Sequence, residues 1–317
     1  MIHLGGRSKS QSALEYLSTY AWAILIIAII LAAMYALGIF NSSVFVPRAQ
    51  PGSCTVFRPN GTDSQYGINR VGLCADTLPE YIFRSKGVGD YIYVPGSNLS
   101  SSPLNIDGNL TITSWVEPVG TPYHDVVDKE GQYSMKLDYN NQPHPCLPSN
   151  FTGFCLEWDS NGNWTGPGAG IPNSDFGKWM FLGVSIRYNS TTNTSTKYWY
   201  ANGRLIRVGN IVGEMQYNNT LFTIGAISKD SPNPGYGEAE WFNGSISNVQ
   251  VYNASLPLSY ISQMYQKGLA APPIYLHNLV AWYPLNGNAN DYSGNKLNGL
   301  TDNVVFGSSW YNGYVIP

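Results

Sequence analysis

No lysine, arginine, aspartate or glutamate occurs between Glu15 and Arg48. Within that interval residues 21–40 are almost continuously apolar. At about 1.5 Å per residue, ~20 such residues cover the ~30 Å hydrocarbon core of a bilayer. The run therefore reads as a transmembrane helix, and the rest of the chain must fold as a separate body. One carboxylate, Glu15, stands at the edge of the run. A charge there is costly unless it is paired, so it marks a functional position. The preceding ten residues are basic through Arg7 and Lys9, which holds that end in the cytoplasm. Ala21, Ala23, Ala28, Ala32, Ala33, Ala36 and Gly38 keep the helix slim enough for close packing against a neighbour.

Beyond the helix the composition is that of an exported, β-rich domain. Charged residues make up only 12% of the chain and the net charge is −3, against about 25% charged in an ordinary soluble protein. No basic field for nucleic acid exists. Polarity comes instead from Asn, Ser, Thr and Gly, and 11 Asn-X-Ser/Thr sequons occur, at Asn41, Asn60, Asn98, Asn109, Asn150, Asn163, Asn189, Asn193, Asn218, Asn243 and Asn253. Sequons mark exposed loops of exported proteins, so N-glycosylation is expected. The four cysteines, Cys54, Cys74, Cys146 and Cys155, all follow the helix. An even count in an oxidising compartment reads as disulfides, with three connectivities open. Proximity favours Cys54–Cys74 and Cys146–Cys155.

From residue 81 the apolar pattern has period two, the signature of strands. Candidate strands include Asp90-Tyr91-Ile92-Tyr93-Val94-Pro95, Leu110-Thr111-Ile112-Thr113-Ser114-Trp115-Val116, Tyr133-Ser134-Met135-Lys136-Leu137, residues 179–186, Lys197-Tyr198-Trp199-Tyr200, Leu221-Phe222-Thr223-Ile224 and residues 246–252. Ala201-Asn202-Gly203-Arg204 carries the Asn-Gly signature of a tight hairpin turn. Many short strands with regular turns predict a sandwich. Residues 41–79 are a linker and a Cys-bracketed segment, either a small subdomain or a clasp between helix and head.

Two resemblances follow from these residues. The leader, Ser10, Gln11, Glu15 and the apolar run resemble, in their spacing, the class III signal peptide of archaeal type IV pilin-like proteins. That likeness implies cutting between Ser10 and Gln11 by a prepilin peptidase, a leader at 1–10 and a mature helix at 11–40. Glu15 becomes the fifth mature residue, and Ser10 stands where the family usually has Gly. The new Gln11 ammonium would lie one helical turn from Glu15, and pairing of the Glu15 carboxylate with a neighbour's amine would fix subunit register. The second resemblance is to the laminin-G-like, concanavalin A-like jelly roll. It is carried by Gly89-Asp90-Tyr91, Asn109-Leu110-Thr111-Ile112, Gly177-Lys178-Trp179, Tyr200-Ala201-Asn202-Gly203 and Phe242-Asn243-Gly244-Ser245-Ile246, with a short helix at 258–266. Residues 279–295 look like that domain's usual first strand, here placed last. Residues 80–317 are thus expected to form one circularly permuted jelly roll, with 278–317 supplying that strand to its own chain or, less favourably, to another subunit.

The chemistry in view is binding. Glu157 and Asp159, and likewise Glu238 and Glu240, stand at i, i+2, the spacing that puts carboxylates on one strand face. The Glu-x-Asp-x-x-Glu pattern of related glucanases is absent, so no catalytic residue is assigned and the chain is expected not to be an enzyme. His124-Asp125 reads as a loop pair with no third member. Trp158, Trp164 and Trp241 are candidates for stacking on sugar rings. Asp291 in Asn290-Asp291-Tyr292-Ser293-Gly294-Asn295 could offer an oxygen to calcium, the one cofactor considered; an ordinary Asx turn is the alternative. The sequence therefore predicts a mostly β protein with an N-terminal assembly helix. It reads as a homopolymeric, glycosylated surface-filament subunit, held in the cytoplasmic membrane with its N-terminus inside before assembly. Its head would take a glycan or another cell-surface ligand. An anchored lectin-like protein that never polymerises is the alternative, and an anchored glycosidase the third reading.

Overall fold

The computed structural model describes residues 9–36, 53–56, 66–69, 79, 81–120, 124–139, 153–160, 168–216, 218–228 and 240–307. The chain divides into two compact units, residues 1–48 and 49–317.

The described residues of the first unit form one helix, α1, Lys9–Ala36. Its 28 residues extend about 42 Å. It starts two residues before the predicted helix, so the Ser10–Gln11 bond lies inside it. Side chains are described for Tyr20 to Met34, and the large ones face solvent: Ile24 is 66% exposed and Ile27 56%. Among the described residues no helix is long and apolar enough to cross a membrane. The predicted span runs on to Phe40, outside them.

The second unit begins with a small antiparallel pair, β1 (Ser53–Val56) and β2 (Tyr66–Asn69). It continues as two antiparallel sheets. One holds eight strands. Its path is β12 (Arg204–Val212), β11 (Thr194–Ala201), β10 (Met180–Asn189), β5 (Leu110–Pro118), β14 (Asn243–Tyr252), β3 (Ile82–Lys86) and β17 (Val305–Gly307). The other holds seven, in the order β16 (Leu300–Asp302), β4 (Tyr91–Val94), β13 (Phe222–Ile224), β6 (His124–Lys129), β7 (Tyr133–Tyr139), β8 (Gly153–Ser160) and β9 (Ala169–Pro172). This is a β-sandwich. The core between the sheets is built by alternate residues of each strand, such as Ile92 and Val94, Leu110 and Ile112, and Val184 and Ile186, all fully buried. A second cluster lies under α2 (Leu258–Lys267), where Ile261 and Met264 cover Trp115 and Phe181. The Trp115 and Tyr265 rings stack at 5.7 Å.

Turn chemistry follows the sequence closely at one place. Asn202 and Gly203 both have positive φ, 48° and 72°. That is the type I′ geometry that matches strand twist in a two-residue hairpin, here joining β11 to β12.

The C-terminal residues enter both sheets of their own chain. β15 (Leu279–Tyr283) pairs with Val249–Tyr252 of β14, beyond the part of β14 that β3 occupies. β16 then covers the edge of β4, and β17 pairs with β3. Trp282 Nε1 donates to Asn248 Oδ1 at 2.8 Å.

Candidate functional site

The outward face of the seven-stranded sheet departs from what a solvated β surface needs. Along β7, Tyr133, Met135 and Leu137 enter the core. Pleating therefore turns Ser134, Lys136 and Asp138 the other way, yet they are only 2%, 4% and 7% exposed. On β6 Asp125 and Asp128 are three apart and would face opposite ways in a regular strand. A register shift between Asp125 and Val127 changes this: Asp125 sits opposite Lys136 and Asp128 opposite Ser134. The extra residue lets Val126 and Val127 both reach the core while both carboxyls stay outward. The register of β8 places Glu157 opposite Lys136 and Asp159 opposite Ser134. On the other flank Thr223 pairs with Asp128 and with Tyr93. Tyr91 and Tyr93 thus continue the same face, while Ile92 and Val94 point inward.

Glu240 and Trp241 join this face from the segment that precedes β14. Lys136 Nζ lies 3.1 Å from Glu240 Oε2, and Asp125 N donates to Glu240 O at 3.2 Å. The Trp241 ring is 5.5 Å from Tyr91, which is 6.0 Å from Tyr93. At the rim, the Tyr93 and Trp241 rings and the Glu240 carboxylate give the mixed surface that sugars require: flat apolar faces to stack on, and an acceptor for hydroxyls. Tyr93, Glu240 and Trp241 are half-buried, so ligand access is along that rim.

Asp125 is the outlier of the group. It is 1% exposed, and neither carboxyl oxygen has a hydrogen-bond partner of good geometry among the described residues. Burial pushes its carboxyl well above the usual range; the neighbouring Glu240 and Asp128 carboxyls push the same way, and Lys136 opposes them. A group whose folded value is raised contributes stability that is complete below its unfolded value, near pH 4, and lost as pH rises through the folded one. Asp125→Asn removes this dependence. The expected result is a variant whose thermal midpoint gains on the wild type steadily as pH is raised from 4 to 8. Parallel profiles in a pH series of thermal melts would contradict the assignment.

Lys129, at the end of β6, is fully buried. Its ammonium donates to Ser97 O at 3.1 Å, Asn218 O at 2.9 Å and Thr220 O at 2.6 Å. Burial lowers its pKa to about 8, against the favourable charge of Asp128. This lysine ties three segments together behind the candidate face.

The residues singled out in the sequence are placed as follows. Ser10, Gln11 and Glu15 lie on α1, their side chains outside the described set. His124 and Asp125 belong to β6 and not to a loop, because the bulge that hides the alternation still leaves them paired with β7. Glu240 precedes β14 and is not itself on a strand; Glu238, its expected partner on one strand face, lies outside the described residues. Trp158 falls opposite core residue Met135, and Trp164 lies outside them. Cys155 is buried and not free, and the side chains of Cys54, Cys74 and Cys146 are outside the described set. The Asp291 carboxylate accepts from Trp282 N, Ser293 N, Ser293 Oγ and Leu297 N at 2.8–3.0 Å. Its lone pairs hold a turn, the Asx arrangement. Among the described residues no group of three or more His, Cys, Asp or Glu side chains could hold a metal ion. Tyr91, Tyr93, Thr223, Asp128 and Lys136 were not foreseen as site residues. The outward half of the β7 alternation was the signal available for Lys136.

A family model described as the concanavalin A-like lectin/glucanases superfamily, of laminin-G type, matches residues 86–262. No curated protein matches the chain. Among solved structures, a proposed carbohydrate binding protein from Bacteroides ovatus is 15% identical with a TM-score of 0.49; the match covers 77% of this chain and 66% of that one. A native heptameric SAP-like pentraxin from Limulus polyphemus is 13% identical, TM-score 0.42, covering 72% and 93%. The CBM40 of the Ruminococcus gnavus IT-sialidase is 15% identical, TM-score 0.34, covering 59% and 96%.

Proposed function

Since the chain belongs to the concanavalin A-like lectin/glucanases superfamily, we propose that it is a pilin-like surface subunit whose jelly-roll head binds carbohydrate. The observation that carries the binding reading is the Tyr91–Tyr93–Trp241 ring group beside the Lys136–Glu240 pair. Rings and charged groups at one rim suit a glycan with both a flat apolar face and hydroxyls. The filament reading is supported by the unbroken 28-residue helix, with its exposed isoleucines, in one chain with that head. Apolar residues so exposed need a cover, and lipid before assembly and neighbouring α1 helices after it supply one. Cleavage at Ser10–Gln11 by a prepilin peptidase, an archaeal source, and disulfides at the four cysteines belong to the same proposal. Export to the cell surface goes with them.

Binding without hydrolysis is the activity proposed. Glu240 is committed to Lys136 at 3.1 Å, and Asp125 is a buried acid with no access along the rim. The anchored, non-polymerising lectin shares the head and differs only in α1.

Trp241→Ala tests the face. Loss of an aromatic anchor at a binding rim costs on the order of 2 kcal/mol, or about thirtyfold in affinity. On a glycan array the wild-type head is expected to retain a defined set of sugars, and the variant to lose them with an unchanged thermal midpoint. Equal binding by both proteins would remove the rim from the account. A wild-type head that retains no sugar would remove the lectin reading itself.

A further inference from the structure

Four of the sequons described in the structure converge on one end of the eight-stranded sheet. Asn109 immediately precedes β5, Asn189 ends β10, Asn193 immediately precedes β11 and Asn253 immediately follows β14. The register puts these points together. Ile186 pairs with Leu110, Asn189 with Thr194, and Tyr252 with Thr111. Four strands that are neighbours in the sheet therefore each present a sequon at the same end.

The side chains at this end share a second property. All four are exposed, and each uses its Oδ1 as an acceptor. Asn109 Oδ1 accepts from Tyr188 N at 2.9 Å and Asn193 Oδ1 from the Tyr188 hydroxyl at 3.1 Å. Asn189 Oδ1 accepts from Thr191 N at 3.0 Å and Asn253 Oδ1 from Asn278 Nδ2 at 2.8 Å. An N-linked glycan is carried on Nδ2. These bonds leave that atom uncommitted and fix the amide plane that presents it.

Two other sequons show the opposite arrangement. Asn218 is half-buried and spends its Nδ2 on Glu130 O at 3.3 Å. That nitrogen also packs against Gly131, where even a Cβ would collide with it. Asn243, at the other end of β14, has its Nδ2 so close to Gly120 that a Cβ there would lie 2.8 Å away. A sugar on either nitrogen would have to displace backbone. Asn98 lies on the other sheet, in the turn after β4.

We infer that this end of the eight-stranded sheet is the glycan-bearing pole of the head, modified at Asn109, Asn253 and one or both of Asn189 and Asn193, while Asn218 and Asn243 stay bare. The inference rests on the surface-exposed reading above and sharpens it. Sequon chemistry alone treats the four at the pole and the two packed ones alike; packing divides them. A glycosylated pole also keeps that end of the sandwich from docking closely against a neighbour, so contacts between heads are left to the other surfaces.

The test is glycopeptide mass spectrometry on the full chain isolated from its own cells, with the N-terminal peptide identified in the same digest. The expected result is oligosaccharide mass on the Asn109 and Asn253 peptides and on at least one of Asn189 and Asn193, with unmodified Asn218 and Asn243. Asn109→Gln combined with Asn253→Gln should then remove two glycans from the intact mass. Sugar on Asn218 or Asn243, or a bare pole on a chain that begins at Gln11, overturns the inference while leaving the surface reading in place. A bare pole on a chain that still begins at Met1 removes both.

Discussion

Lys129→Met lowers the stability of the head by about 3–5 kcal/mol, the largest loss expected from a single side chain outside the apolar core. The methionine fills the same space but donates nothing. Three carbonyls, of Ser97, Asn218 and Thr220, lose the ammonium that now reaches them at 2.6–3.1 Å. A buried acceptor left without its donor costs about 1–3 kcal/mol, and breaking a buried charged arrangement costs about 3–5 kcal/mol. The Asp128 carboxylate beside Lys129 also loses its favourable charge. The pH dependence has a definite sign. Because burial lowers the Lys129 pKa to about 8, the contribution of this group is greatest above the ordinary lysine value, near pH 10.4, and falls as pH drops through 8. The deficit of the variant should therefore widen from pH 8 toward pH 10. Urea melts at several pH values measure it. A midpoint within error of the wild type at pH 7 would show that the three hydrogen bonds contribute little.

Glu15→Ala is expected to abolish filaments while leaving the head folded and able to bind. Glu15 is the first of the chain's carboxylates and the one in α1. It lies four residues, about one turn, from Gln11, whose amine would appear only on removal of the proposed leader. In the packed core of a filament each carboxylate would meet a neighbour's amine in a low dielectric. Removing one partner leaves the other charge buried and alone, at a cost of about 3–5 kcal/mol per contact, repeated at every subunit. Electron microscopy of cells carrying the variant reads the outcome, and retention on a glycan column shows that the head is intact. Filaments in normal number would sink the register role of Glu15. Absence of filaments in the wild type as well would favour the anchored lectin.

The fold was legible where local pattern and local structure agree. Leu110–Thr113 alternates cleanly and lies in β5; Asn202-Gly203 forms the type I′ turn that its sequence demands. β6 was not legible, because its bulge places Val126 and Val127 side by side in the core and breaks the period. β12 was missed for a different reason. As an edge strand it leaves Leu205, Ile206 and Val208 exposed, so its apolar residues follow no single face. β16 and β17, three residues each, are too short to carry a period at all.

The candidate face was half visible. Ser134, Lys136 and Asp138 are the complement of the core residues on β7, and any period-two reading of that strand contains them. Asp125 and Asp128 share the face only through the bulge. Glu240 and Trp241 arrive from a segment about 100 residues later in the chain than Lys136, whose ion pair spans 104 positions. No local pattern encodes that approach; the packing of the sandwich creates it. The sequons show the same division. Their motif is read directly, but the choice between an exposed Asn109 and a packed Asn218 depends on Tyr188, Glu130 and Gly131, residues distant from them in sequence.

The central claim is that a lectin-like head is carried by a processed assembly helix. Its most direct test is the mass of the mature N-terminal peptide, from protein purified out of its native membrane or surface fraction. The account predicts a chain that begins at Gln11, with Glu15 as its fifth residue. A chain that begins at Met1, or at any residue beyond Phe40, would contradict it.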